Sequence, residues 1–101
     1  MPWTTTYEFG EDFEDLRRDR KRASAFEQEL VREVSAGHPL HGRSWTVIAL
    51  AFAQDEVVVE SDDEVALVHL TWRRGPEPLP WPSTEFFTSA KEFGAATTDR
   101  Y

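Results

Sequence analysis

Residues 64–74 constrain the fold of this chain more than any other stretch. They read Glu-Val-Ala-Leu-Val-His-Leu-Thr-Trp-Arg-Arg, with acidic residues before them and a Gly-Pro pair after them. This run is rich in β-branched and aromatic residues, which is typical of a main strand in a small sheet. Alternation gives the strand one wholly apolar face, which we predict to be core packed against a helix. That face comprises Ala66, Val68, Leu70 and Trp72.

Two shorter apolar runs predict strands before it. Residues 45–53 contain no polar side chain after Thr46, and residues 57–59 are three valines between polar turns. Three short strands joined by tight polar turns predict an antiparallel meander. Residues 83–88 predict a fourth strand at one edge. An exposed edge at the first or the fourth strand would allow two copies to pair as a homodimer.

A helix is predicted on the N-terminal side of these strands. Ser24 and Glu27 have the spacing of a capping box, in which each side chain bonds the other residue's backbone N–H. Gly37 stands where a helix can end in the left-handed conformation. We therefore predict a helix over residues 25–36, and residues 11–22 either extend it or form a separate helical turn.

A second capping box predicts a short C-terminal helix. Ser89 and Glu92 repeat the serine-to-glutamate spacing, and Gly94 would end that helix. Together the elements predict one α+β domain: a main N-terminal helix on a three- to four-stranded, mostly antiparallel sheet, with a short C-terminal helix. Residues 1–12 show no clear period and are predicted to be a flexible arm, so residues 13–101 would form the domain.

Charge and composition narrow the classes of partner. The chain has 11 Lys and Arg against 19 Asp and Glu, a net charge of −8, which argues against nucleic-acid binding because phosphate contacts need surplus basic residues. No apolar run approaches the ~20 residues of a membrane span. With no cysteine and no visible secretory signal, we expect a cytoplasmic protein.

The three histidines are the candidates for chemistry. His38 and His41 have an HxxH spacing that suits a metal such as zinc, and His69 in the main strand is a candidate general base. Each also has a structural interpretation. His38 can bond the last helix carbonyls, His41 can shape a turn, and His69 can be a half-buried histidine bonded to a neighbour.

The candidates for binding are aromatic and acidic. Residues 75–82 carry prolines at alternate positions, which predicts an extended segment without sheet pairing and with Trp81 inserted into the domain's own core. Tryptophan is also enriched among interface anchors, so Trp72 and Trp81 are candidate binding residues. An acidic turn supplies three further candidates, Asp62, Asp63 and Glu64.

Three blocks of sequence resemble a set of small bacterial proteins without an assigned activity. They are His-Pro-Leu-His-Gly-Arg from His38, Val-Ala-Leu-Val-His-Leu-Thr-Trp from Val65, and Pro-Glu-Pro followed by Trp-Pro-Ser-Thr-Glu-Phe-Phe from Pro76. The resemblance covers about residues 25–95 and implies that this block is one unit. In size and acidity the chain is also similar to bacterial toxin-immunity proteins.

Two functional hypotheses follow. The first is a non-catalytic protein-binding module, for example an immunity or inhibitor protein that acts on a basic protein partner. The second is a small enzyme or metal-binding protein that uses His69 with His38 or His41. The acidic charge without a complete catalytic set favours the first hypothesis, and we expect no cofactor.

Overall fold

A computed structural model describes residues 3–51, 55–62, 64–72, 75–79 and 81–98. Within them, five strands form one antiparallel sheet in the order β1-β2-β3-β4-β5. The strands are β1 Phe13–Asp15, β2 Thr46–Ala51, β3 Glu56–Ser61, β4 Glu64–His69 and β5 Ser83–Phe87. The helices are α1 Arg20–Glu33 and α2 Ala90–Thr97, and a 3-10 turn spans Trp3–Thr5. The predicted α+β class is confirmed, with one strand more than expected.

The additional strand is β1, which the sequence interpretation placed in a helical region. Phe13 and Leu16 are three residues apart, as on a helix, but Phe13 pairs with Ala51 of β2. Helix α1 begins only after Asp19, whose carboxylate accepts the Arg22 N–H at 3.2 Å. The predicted cap at Ser24 was therefore wrong. Asp and Ser are both good N-caps, so the strand before the helix decides which one is used.

The end of α1 also differs from the prediction. The helix ends at Glu33 with Val34 as its C-cap, rather than at residue 36. Gly37 still adopts a positive φ of 92°, but it does so in the following loop. The chain leaves the helix early because Val34 is extended. Ser35 Oγ then donates to the Glu77 carbonyl in residues 75–82, which we call the proline segment.

The two faces of the sheet are covered by different elements. Helix α1 packs on one face, and Ala66, Val68 and Leu70 point into this cluster as predicted. The fourth residue of that set, Trp72, is 41% exposed, so its assignment to the core was wrong. Strand β4 ends at His69, and Trp72 has a φ of +60°. Alternation therefore no longer determines which way its side chain points.

A bulge in β2 decides which of its apolar side chains lie on each face of the sheet. Val47 and Leu50 belong to the cluster under α1, whereas Ile48 and Ala49 both belong to the opposite cluster. Two consecutive residues share a face because the pairing with β3 shifts between Val47 and Ala49. Strict alternation cannot describe this strand, although both of its faces are apolar.

Side chains of α1 extend the sheet where β1 ends. Arg20 Nη1 donates to the Val47 carbonyl at 2.9 Å, and Glu27 Oε2 accepts the Val47 N–H at 2.8 Å. The same two side chains form an ion pair at 2.6 Å. The pair thus satisfies both backbone groups of Val47, as a neighbouring strand would.

Removing the Arg20–Glu27 pair, which we call the clamp on Val47, should destabilise the fold. Glu27→Ala leaves the Val47 N–H without its acceptor and is expected to lower the free energy of unfolding by about 1–2 kcal/mol. Urea denaturation followed by circular dichroism measures the change. Gln28→Ala, at the neighbouring exposed position of α1, is the matched control and should change stability little. Equal losses in the two variants would show that the clamp contributes nothing.

Aromatic rings cover the opposite face of the sheet. Phe93 of α2 is fully buried and is surrounded by the rings of Trp3, Tyr7, Phe9, Phe13 and Phe87. The predicted N-cap Ser89 is confirmed, since its Oγ accepts the Glu92 N–H at 3.1 Å. Gly94, however, lies inside α2, which continues to Thr97. Burial of Phe93 and Thr97 holds the helix together despite the ~1 kcal/mol cost of a helical glycine.

Candidate functional site

The predicted binding residues lie at opposite ends of β4. Asp62 and Glu64 stand at its start, whereas Trp72 and Trp81 lie beyond its end. The strand alone spans five residue steps, about 16 Å at ~3.3 Å per step. Asp63 lies outside the described residues. The structure therefore separates the acidic turn from the two tryptophans, which cannot form one small site.

At the start of β4 the acidic turn is engaged by a basic side chain. Arg43 Nη1 contacts Glu64 Oε1 at 2.8 Å, and Arg43 Nη2 donates to the Ser61 carbonyl at 3.2 Å. The guanidinium also lies 4.5 Å from the ring centroid of Trp45. Within the described part of the turn, Glu64 is thus already used to hold an arginine of the same chain.

At the other end of β4 lies a cavity of about 400 Å³, which we call the exit cavity. Strand β4 supplies His69 at its last position, opposite Glu56 of β3 and Ser83 of β5. The chain that follows β4 supplies the remaining walls. The cavity is lined by His69, Thr71, Glu77, Pro78 and Trp81.

The proline segment is held to the end of α1 by its backbone. The Glu77 N–H donates to the Glu33 carbonyl at 3.0 Å, and Ser35 Oγ donates to the Glu77 carbonyl at 2.8 Å. At its far end, the Pro82 carbonyl accepts a hydrogen bond from the His38 ring at 2.9 Å. These contacts leave Glu77 only 4% exposed and fix it as a wall of the exit cavity.

Two buried carboxylates lie behind the cavity. Glu29 and Glu33 are one helical turn apart and both fully buried. Glu33 accepts the N–H groups of Thr71 and Trp72 at 3.0 and 2.9 Å. Burial is the main reason that the pKa of Glu33 is raised to about 7. The hydrogen bond and the charge of Glu29 also raise this pKa, whereas the N–H groups of Thr71 and Trp72 lower it.

Thr71 connects these carboxylates to Glu77. Its Oγ1 donates to Glu77 Oε1 at 3.0 Å, while its N–H donates to Glu33. The adjoining Trp72 takes its left-handed conformation with its N–H bound to Glu33, and its ring packs edge-on against Phe26 at 5.6 Å. The backbone at Trp72 is therefore held in place by the carboxylate of Glu33.

Three large apolar side chains of the chain that follows β4 are exposed to solvent. Trp72 is 41% exposed, Leu79 is 53% exposed and Trp81 is 47% exposed. We call these three residues the tryptophan face. The prediction that Trp81 inserts into the domain's core was wrong. The segment is held by the Glu77 backbone and the Pro82 carbonyl, which leaves the Trp81 ring outside.

The histidines line three different cavities. His69 lines the exit cavity, His38 lines a second cavity that Trp81 also borders, and His41 lines a groove beside α1. His38 bonds the Leu40 N–H and the Pro82 carbonyl, not the last carbonyls of α1. Its hydrogen bonds assign the proton to Nε2, because a backbone N–H only donates and a carbonyl only accepts. Among the described residues, no three potential ligands come together as a metal site.

The buried acids Glu29, Glu33 and Glu77 are the site residues that the sequence interpretation missed. A signal for two of them was present. Glu29 follows Phe26 by three residues and Glu33 follows Leu30 by three, so on a helix each acid lies beside an apolar residue. For Glu77 no local signal exists, since its burial depends on contacts with residues far away in the sequence.

Comparison of the chain with protein-family models, with curated proteins and with solved structures found no match. No helix in the described ranges has the length and apolar character needed to cross a membrane.

Proposed function

We propose that this protein is a non-catalytic binding module that engages a basic protein partner through the tryptophan face. The observation that carries the proposal is the exposure of Trp72 and Trp81 on a backbone that hydrogen bonds hold in place. An inhibitor or immunity protein that blocks a basic enzyme is one role that such a surface suits.

The composition of the face supports the proposal. Among the described residues, five large hydrophobic side chains are exposed, and three of them are Trp72, Leu79 and Trp81. Tryptophan is enriched at the energetic centres of protein interfaces. Because the backbone around both rings is already anchored, little conformational entropy remains to be lost when a partner binds.

The charge supports a basic partner. The chain carries a net charge of −8, which attracts positively charged surfaces and accelerates their encounter with it. The walls of the adjoining cavity include the acidic residue Glu77. Electrostatic attraction would bring the partner in, and the tryptophans would supply the apolar contact.

A capture experiment with matched variants tests this proposal. The wild-type protein is used to isolate binding proteins from the organism that makes it, and the affinity of each candidate is then measured by calorimetry. We expect a basic partner whose Kd rises at least tenfold for the double variant Trp72→Ala, Trp81→Ala, because truncating such an anchor costs about 2 kcal/mol or more. The affinity should also fall as salt rises.

Val31→Ala is the control for the capture experiment. Val31 is 76% exposed on α1 and, two residues before Glu33, points away from the tryptophan face. It should bind the partner as the wild type does. The proposal is wrong if no protein binds specifically, or if the double tryptophan variant keeps its affinity.

A further inference from the structure

We propose that β5 takes up an extended segment of the protein partner as a further strand of the sheet. The inference rests on the proposed protein-binding function and specifies how the partner is recognised. The added strand would bond the outward backbone groups of Thr84 and Phe86. One of its apolar side chains would enter a cavity that Trp81 borders.

The pairing register shows which backbone groups of β5 point outward. Where β3 and β4 meet, the Leu70 N–H donates to the Asp55 carbonyl at 3.2 Å. Hydrogen-bonded pairs alternate along an antiparallel ladder, so the odd-numbered residues of β4 bond β5. Their partners in β5 are Ser83, Glu85 and Phe87. The N–H and C=O groups of Thr84 and Phe86 therefore point away from the sheet.

The outer edge of β5 is open at these two residues. Within the described parts of the chain, no hydrogen bond is made to the outward backbone groups of Thr84 and Phe86. The opening starts after Pro82, whose carbonyl accepts hydrogen bonds from the His38 ring and the Thr84 hydroxyl. Strand β5 contains no lysine, proline or bulge, which are common devices that prevent the pairing of an edge strand.

The opposite edge of the sheet is less suitable for an added strand. Strand β1 has only three residues, and the Phe13 N–H donates to the Gly10 carbonyl at 3.1 Å. Where β1 ends, the side chains of Arg20 and Glu27 already bond the backbone of Val47. We therefore place the added strand on β5.

A cavity of about 250 Å³ lies beside the start of β5, and we call it the edge cavity. It is lined by His38, Pro39, Trp81, Ser83 and Thr84. Residues directly opposite each other in an antiparallel pair have their side chains on the same face of the sheet. The residue opposite Thr84 would therefore direct its side chain to the face on which Thr84 borders the edge cavity. Strand addition typically combines main-chain hydrogen bonds with pockets for alternate side chains.

The open edge also adjoins exposed aromatic rings. Phe86 is 37% exposed, and its ring lies 6.3 Å from that of Trp45. Trp81, which belongs to the tryptophan face, precedes β5 by two residues and is 47% exposed. A partner that covers the tryptophan face would thus be close enough to continue along β5.

Charge favours a segment of a basic partner over a second copy of this chain. Each copy carries a net charge of −8, so two copies repel each other. A strand with basic residues is instead attracted to the acidic chain.

Titration with a short peptide tests the inference. The probe is acetyl-Arg-Thr-Leu-Thr-Arg-amide, which combines basic ends with a central apolar residue. We expect it to shift the NMR signals of the Thr84 and Phe86 amides and to slow their exchange with solvent. Glycine in place of the leucine should weaken binding about tenfold, because no side chain then fills the edge cavity.

N-methylation of the peptide distinguishes strand addition from other apolar contacts. Methylation of the leucine nitrogen removes an N–H that faces β5 and should weaken binding about tenfold. Methylation of the next threonine removes an N–H that faces away from β5 and should change the affinity less than about twofold. The inference is overturned if the two methylated peptides bind alike, or if the Thr84 and Phe86 amides do not respond to the probe.

Variants of the protein locate the binding on β5. Thr84→Pro removes one outward N–H and should weaken peptide binding about tenfold, whereas Thr84→Val retains this N–H and is the matched control. Circular dichroism checks that both variants fold, and the methylated peptides test the wild type if Thr84→Pro does not. Sedimentation of the protein without peptide tests for a second copy. A dimer that Thr84→Pro dissociates would show that a second copy occupies this edge, and would overturn the inference.

The outcomes separate this inference from the proposed function. If a basic partner depends on Trp72 and Trp81 but binds Thr84→Pro as it binds the wild type, strand addition is wrong while the binding function stands. If the peptide pairs with β5 as expected but no protein partner exists, the strand site stands and the proposed function is wrong.

Discussion

Replacing Phe93 by alanine is expected to lower the free energy of unfolding by about 3–5 kcal/mol, the usual cost of removing a fully buried aromatic ring. Phe93 is inaccessible to solvent and sits among five other rings. Their centroids lie between 5.2 Å, for Phe87, and 6.1 Å, for Phe9. The ring joins α2, the N-terminal residues and the sheet, so its loss leaves a cavity that no single element can close.

Urea denaturation followed by circular dichroism measures this loss. Phe86→Ala is the matched control, because Phe86 is the neighbouring aromatic residue of β5 and is 37% exposed. The control should lose clearly less stability than Phe93→Ala. If both variants lose the same amount, the aromatic cluster on this face does not contribute as the packing indicates.

The second large effect is a loss of stability as pH rises. In the folded protein burial and Glu29 raise the pKa of Glu33 to about 7, whereas its ordinary value is 4.5. Between these two pH values the folded state binds more protons than the unfolded state, so stability falls as pH increases. Each tenfold difference in proton affinity corresponds to ~1.36 kcal/mol, and the whole window therefore amounts to about 3 kcal/mol.

Glu33→Gln isolates this contribution. Glutamine resembles the protonated acid and cannot release a proton, so the variant should lack the part of the decline that belongs to Glu33. Urea denaturation at several pH values from 4 to 8 gives the two stability curves. Glu64→Gln, at a carboxylate on the surface, should retain the wild-type decline. Parallel curves for the wild type and Glu33→Gln would contradict the assignment.

Glu33 also connects stability to the tryptophan face. Its carboxylate accepts the N–H groups of both Thr71 and Trp72, and Trp72 has a positive φ at this point. The backbone that presents the exposed indole is thus held by a titrating group. The fluorescence of a variant that keeps Trp72 as its only tryptophan would follow this region as pH changes.

Part of the fold follows from short-range patterns. The inward direction of Ala66, Val68 and Leu70 follows from alternation along one strand, and these residues pack under α1. The cap at Ser89 follows from its reach to the N–H three residues on. Side-chain alternation and helix capping each depend on residues only a few positions apart. The amino-acid sequence is therefore sufficient to predict both features.

The candidate site could be predicted only in its components. The sequence interpretation selected Trp72, Trp81 and His69, and the structure brings Trp81 and His69 to one cavity. It did not find Glu77, because the burial of that acid depends on Glu33 and Ser35, more than 40 residues earlier in the chain. Proline-rich composition predicts an extended segment but does not show which side chains it buries.

By itself, then, the sequence determined the α+β class, the apolar face of β4 and the cap of α2, because propensity, alternation and capping act between near neighbours. Only the tertiary structure decided that residues 13–15 pair as a strand, that β2 bulges between Val47 and Ala49, and that Trp72 and Trp81 face outward. These features depend on which distant groups complete the hydrogen bonds of a backbone segment. No local pattern contains that information.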